Sequence, residues 1–220
     1  MSTPKDTYQT IRAESSGEFR DKGSKFLAYA YPIEKEEDIE NYLAEVRKLH
    51  QKARHHCYGW RLGTDGNAFR ANDDGEPSGT AGRPILGQID SFEVTNVIII
   101  VVRYFGGTLL GTSGLINAYK TAAATALDAA DIYERVLEDV YRLTFDYSNL
   151  PQVMTAVSKL NLQVVQQDFG HTGQMDIALR QSEAQSTLQQ LKALVAEVYL
   201  EEVDALESIE GFDITLQYTR

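Results

Sequence analysis

Residues 94–114, VTNVIIIVVRYFGGTLLGTSG, decide how the chain folds. Val94 to Val102 is almost entirely β-branched and apolar. A strand of that composition has no face to offer water, so it is expected at the centre of a sheet covered on both sides. The run ends at Arg103. A glycine-rich turn follows, and Thr112 and Ser113 open what the sequence predicts as a helix over 113–133, with Leu115, Tyr119, Ala122, Ala126 and Ala130 on one face. A strand, a glycine turn and a helix start together present backbone N–H groups and a positive helix end, which suits an anion. The spacing from Gly106 to Gly111 resembles a P-loop. Thr112 stands where that motif needs lysine, so a P-loop nucleoside triphosphatase is not expected.

Working outward, residues 73–84 (DDGEPSGTAGRP) hold three glycines and two prolines and are expected to be a loop. Asp73, Asp74 and Glu76 place three carboxylates in four residues beside glycines. This suggests a cation site or an anion-binding nest, against the plainer reading of a solvated surface loop. The spacing is not that of a calcium loop, and the pattern implies no fixed metal set. A helix is predicted over Ile85 to Phe92. Before the loop, strands are expected at Tyr8–Ala13, Lys25–Pro32, residues 56–62 and Ala68–Asn72. Ser15, Ser16 and Gly17 read as turn material. Residues 35–52 carry Ile39, Tyr42, Leu43, Val46 and Leu49 at helical steps. Arg47 to Arg61 (RKLHQKARHHCYGWR) has basic groups with interleaved aromatics and no acid, the mixture that single-stranded RNA contact uses. His55 and His56, adjacent on a strand, face opposite sides and do not form one metal site. Cys57 reads as a buried, inert thiol.

A second pattern starts near 138. Tyr141, Leu143, Phe145 and Tyr147 alternate as a strand. Helices follow at Leu150–Leu160, capped by Asn149 or Ser148, and after Ser182, with Gln185 completing a capping box. Strands at 162–169, 174–180 and 212–218 give the order β-α-β-β-α-β, the ferredoxin-like motif, with 197–210 open between helix and acidic loop. The expected division is therefore 1–135 and 136–220. Of the 220 residues, 21 are basic and 32 acidic, a net charge of −11. The first part carries −3 and the second −8, so a general polyanion binder is disfavoured. One cysteine excludes an internal disulfide. The longest apolar run, Val97 to Val102, is too short to cross a bilayer, and MSTPKDTYQT lacks the apolar segment of a secretory signal, so a cytoplasmic protein is expected.

Four blocks, KGSKFLAYAYPI (22–33), ARHHCYGWRLG (53–63), DDGEPSGTAGRPIL (73–86) and VVRYFGGTLLGTSGLINAY (101–119), resemble the YigZ/Impact family in order and spacing. That resemblance covers about residues 20–133 strongly. It implies an α+β protein whose first domain is ribosomal protein S5 domain 2-like. Its second would be ferredoxin-like and similar to the last domain of translocating elongation factors. Eukaryotic relatives regulate translation by competing for a ribosome-associated activator of a stress kinase, with help from an N-terminal domain this chain lacks. The resemblance transfers no catalytic residue.

Together these readings predict a non-catalytic, translation-associated binding protein whose partner is RNA, the ribosome or a translation factor. Its ligand cleft would be lined by Asp73, Asp74, Glu76, Ser78, Thr80, Arg83, Arg103, Tyr104, Phe105, Gly106, Gly107, Thr112 and Ser113. Arg54, His55, Arg61 and Lys120 would contact RNA. No cofactor is expected, and the oligomeric state is open. One alternative is an enzyme holding nucleotide and Mg²⁺ on the Asp73–Glu76 acids and the Arg103–Ser113 turn. The other is a protein–protein adaptor.

Overall fold

A computed structural model describes residues 6–206 and 208–220. The reading of the first five residues lies outside them. The chain divides into one unit of Thr7–Arg135 and a second of Val136–Arg220 together with Asp6.

In the first unit, strands β2 (Ser15–Asp21), β3 (Ser24–Pro32), β4 (His55–Leu62), β5 (Ala68–Asn72) and β6 (Val97–Tyr104) form an antiparallel sheet in the order β2-β3-β6-β4-β5. The β-branched run is its central strand, with Val97 to Val102 all fully buried. Alternate residues serve two cores. Val97, Ile99 and Val101 pack with Phe26, Cys57 and the apolar sides of helices α2 (Gly82–Ser91) and α3 (Gly111–Asp128). Ile98, Ile100 and Val102 pack with Tyr31, Tyr58 and helix α1 (Glu36–Leu49). The ends of α1 suit its dipole, with Glu36, Glu37 and Asp38 in the first turn and Arg47 and Lys48 in the last. A separate two-stranded pair joins β1 (Thr7–Ile11) to β7 (Ile132–Val136).

Three local expectations are corrected here. Ser15, Ser16 and Gly17 lie inside β2, paired with Ala30, Tyr29 and Ala28, because the strand edge must pass close under α3. A Cβ at Gly17 would stand 2.6 Å from the Ala126 nitrogen, so the glycine marks close approach and not a turn. Helix α2 begins at Gly82 and not at Ile85; Pro84 sits in its first turn, where a missing N–H costs nothing. Helix α3 ends at Asp128, not 133. Ile132 and Tyr133 instead enter β7, where the Arg12 guanidinium pairs with Asp131 at 2.8 Å and lies 4.1 Å from the centre of the Tyr133 ring.

The second unit runs β8 (Glu138–Phe145), α4 (Leu150–Lys159), β9 (Gln163–Phe169), β10 (Gly173–Arg180), α5 (Ala184–Ala196) and β11 (Phe212–Thr219). Its sheet is antiparallel in the order β11-β8-β10-β9. Leu143, Phe145, Met175 and Ile177 pack against Val153, Ala156 and Leu191 of the two helices. On the opposite sheet face Arg142 grips Asp176, its register partner, at 2.7 and 2.8 Å. Neither expected cap forms. The Asn149 amide donates to the carbonyls of Glu210 and Gly211, and the Ser182 hydroxyl donates to the Asp6 carboxylate. Each side chain found a partner distant in sequence instead of its own helix. The ambiguous stretch 197–210 contains a 3₁₀ helix, Leu200–Ala205.

Candidate functional site

The glycine-rich segments of the first unit meet at Arg103. This residue is the last of β6 to face α2 and α3, and it lies opposite His55 of β4. Its guanidinium pairs with Glu76 at 2.6 Å, both side chains less than 10% exposed. The Tyr119 hydroxyl of α3 donates to the same Glu76 oxygen at 2.8 Å. Cys57 Sγ lies 3.4 Å from that hydroxyl and 3.0 Å from the Asp73 carbonyl. One buried network therefore ties together β4, β6, α3 and the 73–81 loop. Burial pushes the Cys57 thiol up, and the Glu76 and Asp74 charges add to this. The Tyr119 hydroxyl is likewise pushed up, first by burial and then by Cys57 and Glu76. Neither ionises near neutrality, and Cys57 is no nucleophile. The Arg103 guanidinium also lies 5.5 Å from the ring centre of Phe26 and 5.6 Å from that of Phe105, while its buried Nε has no hydrogen-bond partner among the described residues.

The other loop acids serve the backbone. Asp73 accepts N–H bonds from Gly79, Ala81 and Gly82 at 2.8, 3.0 and 2.8 Å. Burial alone would raise its carboxyl, but the bonds from Gly79, Gly82 and Ala81 outweigh burial and hold it below its ordinary value. Asp74 accepts the His56 N–H at 2.7 Å, and its carbonyl lies 2.9 Å from His55 Nδ1. Among the described residues, no group of three or more His, Cys, Asp or Glu is placed to hold a metal ion. Thr80 is buried and donates to the Pro77 carbonyl, while Ser78 and Arg83 are exposed.

The turn after Arg103 is held from beneath. Gly106 N–H donates to Ser24 Oγ at 3.1 Å, and a Cβ on Gly106 would fall 1.9 Å from the Gly23 carbonyl carbon. Gly107, Thr112 and Ser113 are exposed, as are Phe105 (57%) and Leu109 (83%). Tyr104 turns to the opposite sheet face. There its hydroxyl lies 3.0 Å from His50 Nδ1, and His50 Nε2 lies 2.7 Å from the Tyr29 hydroxyl.

The residues expected to contact RNA do not gather in one place. His55 neighbours Arg103, but Arg61 is six positions further along β4, roughly 20 Å away at strand rise. It is bound to Asp90 and the Gly66 carbonyl. Arg54, Arg83 and Lys120 remain as exposed cations. Sequence reading missed Tyr119 and Ser24. Tyr119 carried one signal, a hydroxyl on an otherwise alanine-rich buried helix face.

Residues 22–127 match the Impact N-terminal domain family. An IMPACT family member of Haemophilus influenzae is 35% identical over 67% of this chain and 73% of its own length. The IMPACT family member YigZ of Escherichia coli is 33% identical over 67% of this chain and 74% of its own. A crystal structure of a hypothetical protein aligns at a TM-score of 0.64 with 28% identity, over 87% of this chain and 92% of that one. No helix among the described residues is long and apolar enough to cross a membrane.

Proposed function

The chain belongs to the IMPACT family, and on that premise we propose that it is a non-catalytic, translation-associated regulator. Its first unit would bind RNA, the ribosome or a translation factor through the surface around Arg103, working in the cytoplasm. The observation that carries the binding reading is Arg103 itself. Glu76 of one glycine-rich segment and Phe105 of the other both contact it, so the two segments share one anchored base at this residue. The exposed Phe105 next to it and the exposed Leu109 of the same turn would give a partner apolar contact, and the exposed Arg54 and Lys120 would give it cationic contact.

The binding reading is favoured over the Mg²⁺ enzyme because Asp73 and Glu76 are already engaged by backbone N–H groups, Arg103 and Tyr119. We also propose that the two units are domains meeting at 135/136. The first would be ribosomal protein S5 domain 2-like and the second ferredoxin-like. The β-α-β-β-α-β order and the β11-β8-β10-β9 sheet support the second assignment.

The test is binding of ribosomal subunits and of single-stranded RNA across a salt series, with Phe105→Ala/Leu109→Ala and Arg54→Ala/Lys120→Ala. Loss in the first pair with a shallow salt slope identifies a protein partner. A steep slope and loss in the second pair identify RNA. No binding to either at low salt rejects the proposal.

A further inference from the structure

A second concavity lies on the other face of the same sheet and shares no residue with the Arg103 surface. It is about 260 Å³, lined by Glu14, Ser15, Ser16, Tyr29, Tyr31, Glu45 and Leu49. Its floor is aromatic: the Tyr29 and Tyr31 rings are stacked at 6.5 Å, and Tyr42 stacks on Tyr31 at 4.2 Å. Helix α1 supplies one wall through Glu45 and Leu49, and the start of β2 supplies the other. The groove exists because β2 is the edge strand and α1 covers the sheet only as far as β3 with its buried residues Ile39, Leu43 and Val46.

Three features set its chemistry. Glu14 and Glu45 are exposed, and neither has an ion pair or a side-chain hydrogen bond among the described residues. Tyr31 is only 4% exposed, and no hydrogen bond joins its hydroxyl to another of the described residues. Leu49, at the rim, is 64% exposed. Burial pushes the Tyr31 hydroxyl up to about 12, and the fields of Glu45 and Glu14 add to this, so both acids act on that hydroxyl. Tyr42 is raised for the same reasons, with Asp38 contributing as well. A negative potential above tyrosine faces attracts a cation. An inorganic divalent ion would need an oxygen shell that this groove does not offer.

We propose that this groove binds an organic cation, a guanidinium or alkylammonium group on a short apolar stem. The head would donate to the Tyr31 hydroxyl between Glu14 and Glu45. The stem would lie across the Tyr29 ring and Leu49. The cation is either a free amine or guanidine, or the side chain of an arginine or lysine in a peptide.

Two probes separate these sources: butylguanidinium, and a capped Gly-Arg-Gly tripeptide. Each is titrated into the full chain at constant ionic strength and followed by backbone amide chemical shifts. Binding should weaken by about tenfold or more in Glu14→Gln/Glu45→Gln, and by about tenfold in Tyr31→Phe, which keeps the ring and removes the acceptor. Glu197→Gln/Glu201→Gln, which removes the same net charge elsewhere, should bind as wild type. Tighter binding of the tripeptide assigns the groove to a peptide side chain; equal or weaker binding assigns it to a free cation. The proposal is overturned if neither probe binds, if the groove pair binds as wild type, or if the distant pair loses as much affinity as the groove pair.

Discussion

Arg103 and Glu76 form a 2.6 Å ion pair with 8% and 4% of their side chains exposed, joining the end of the central strand to a loop 27 residues earlier. Removing one partner of such a pair leaves an uncompensated buried charge. Glu76→Ala should therefore cost about 3–5 kcal/mol. Glu76→Leu/Arg103→Met, which removes both charges and keeps volume, should cost much less. Urea unfolding of the two single variants and the double variant measures the coupling. Additive losses would mean that the pair does not hold the loop.

The pair also shows why part of the site was illegible in sequence. Three acids beside glycines left a cation site, an anion-binding nest and a solvated loop all open, because sequence reports charge and not its partner. Asp73 meets N–H groups six to nine residues away, and Glu76 meets Arg103 and Tyr119 from other elements. What was legible is periodic and local: the β-branched run of β6, the helical repeat of α1, and the alternation of β8. Ser15-Ser16-Gly17 misled because its composition is that of a turn, while Gly17 is needed for the approach of α3. Asn149 and Ser182 misled because a cap is one of several acceptors or donors a polar side chain meets once the chain is folded.

Of the two adjacent acids that open the loop, Asp73 should be more sensitive than Asp74. Its three N–H bonds are charge-assisted, so Asp73→Ala should destabilise by roughly 2–4 kcal/mol, and Asp73→Asn by less. Ser78→Ala, in the same loop, exposed and without a side-chain hydrogen bond to any described residue, should fall within about 0.5 kcal/mol of wild type. Thermal unfolding of the three variants decides this.

Two carboxyls predict the acid limb of stability. Asp6 is lowered to about 2 by the Arg180 and Ser182 side chains, and Asp73 is held below its ordinary value by backbone N–H bonds that outweigh its burial. Both are depressed on folding, so their contributions are fully present above the unfolded carboxyl range near pH 4. They are lost as pH falls through the folded values, toward about 2 for Asp6. The urea midpoint should drop between pH 5 and pH 2.5 on the order of such shifts, and Asp6→Asn should flatten that drop. An unchanged profile in Asp6→Asn would show that Arg180 gains nothing from the ionised acid.

The two adjacent glycines of the turn after Arg103 should respond differently to one methyl group. Gly107 has φ +89° and open space around its Cβ position, so Gly107→Ala meets only left-handed strain, about 1 kcal/mol. A Cβ on Gly106 would stand 1.9 and 2.2 Å from the Gly23 carbonyl carbon and oxygen, backbone that cannot swing aside as a side chain can. Gly106→Ala must therefore part the turn from the β2–β3 hairpin and break the Gly106 N–H bond to Ser24. It should lose several times more stability than Gly107→Ala and broaden the amide signals of Gly23 and Ser24. Equal losses in the two variants would mean that the turn is not packed on the hairpin. The Phe105 and Leu109 side chains would then have no rigid base from which to meet a partner.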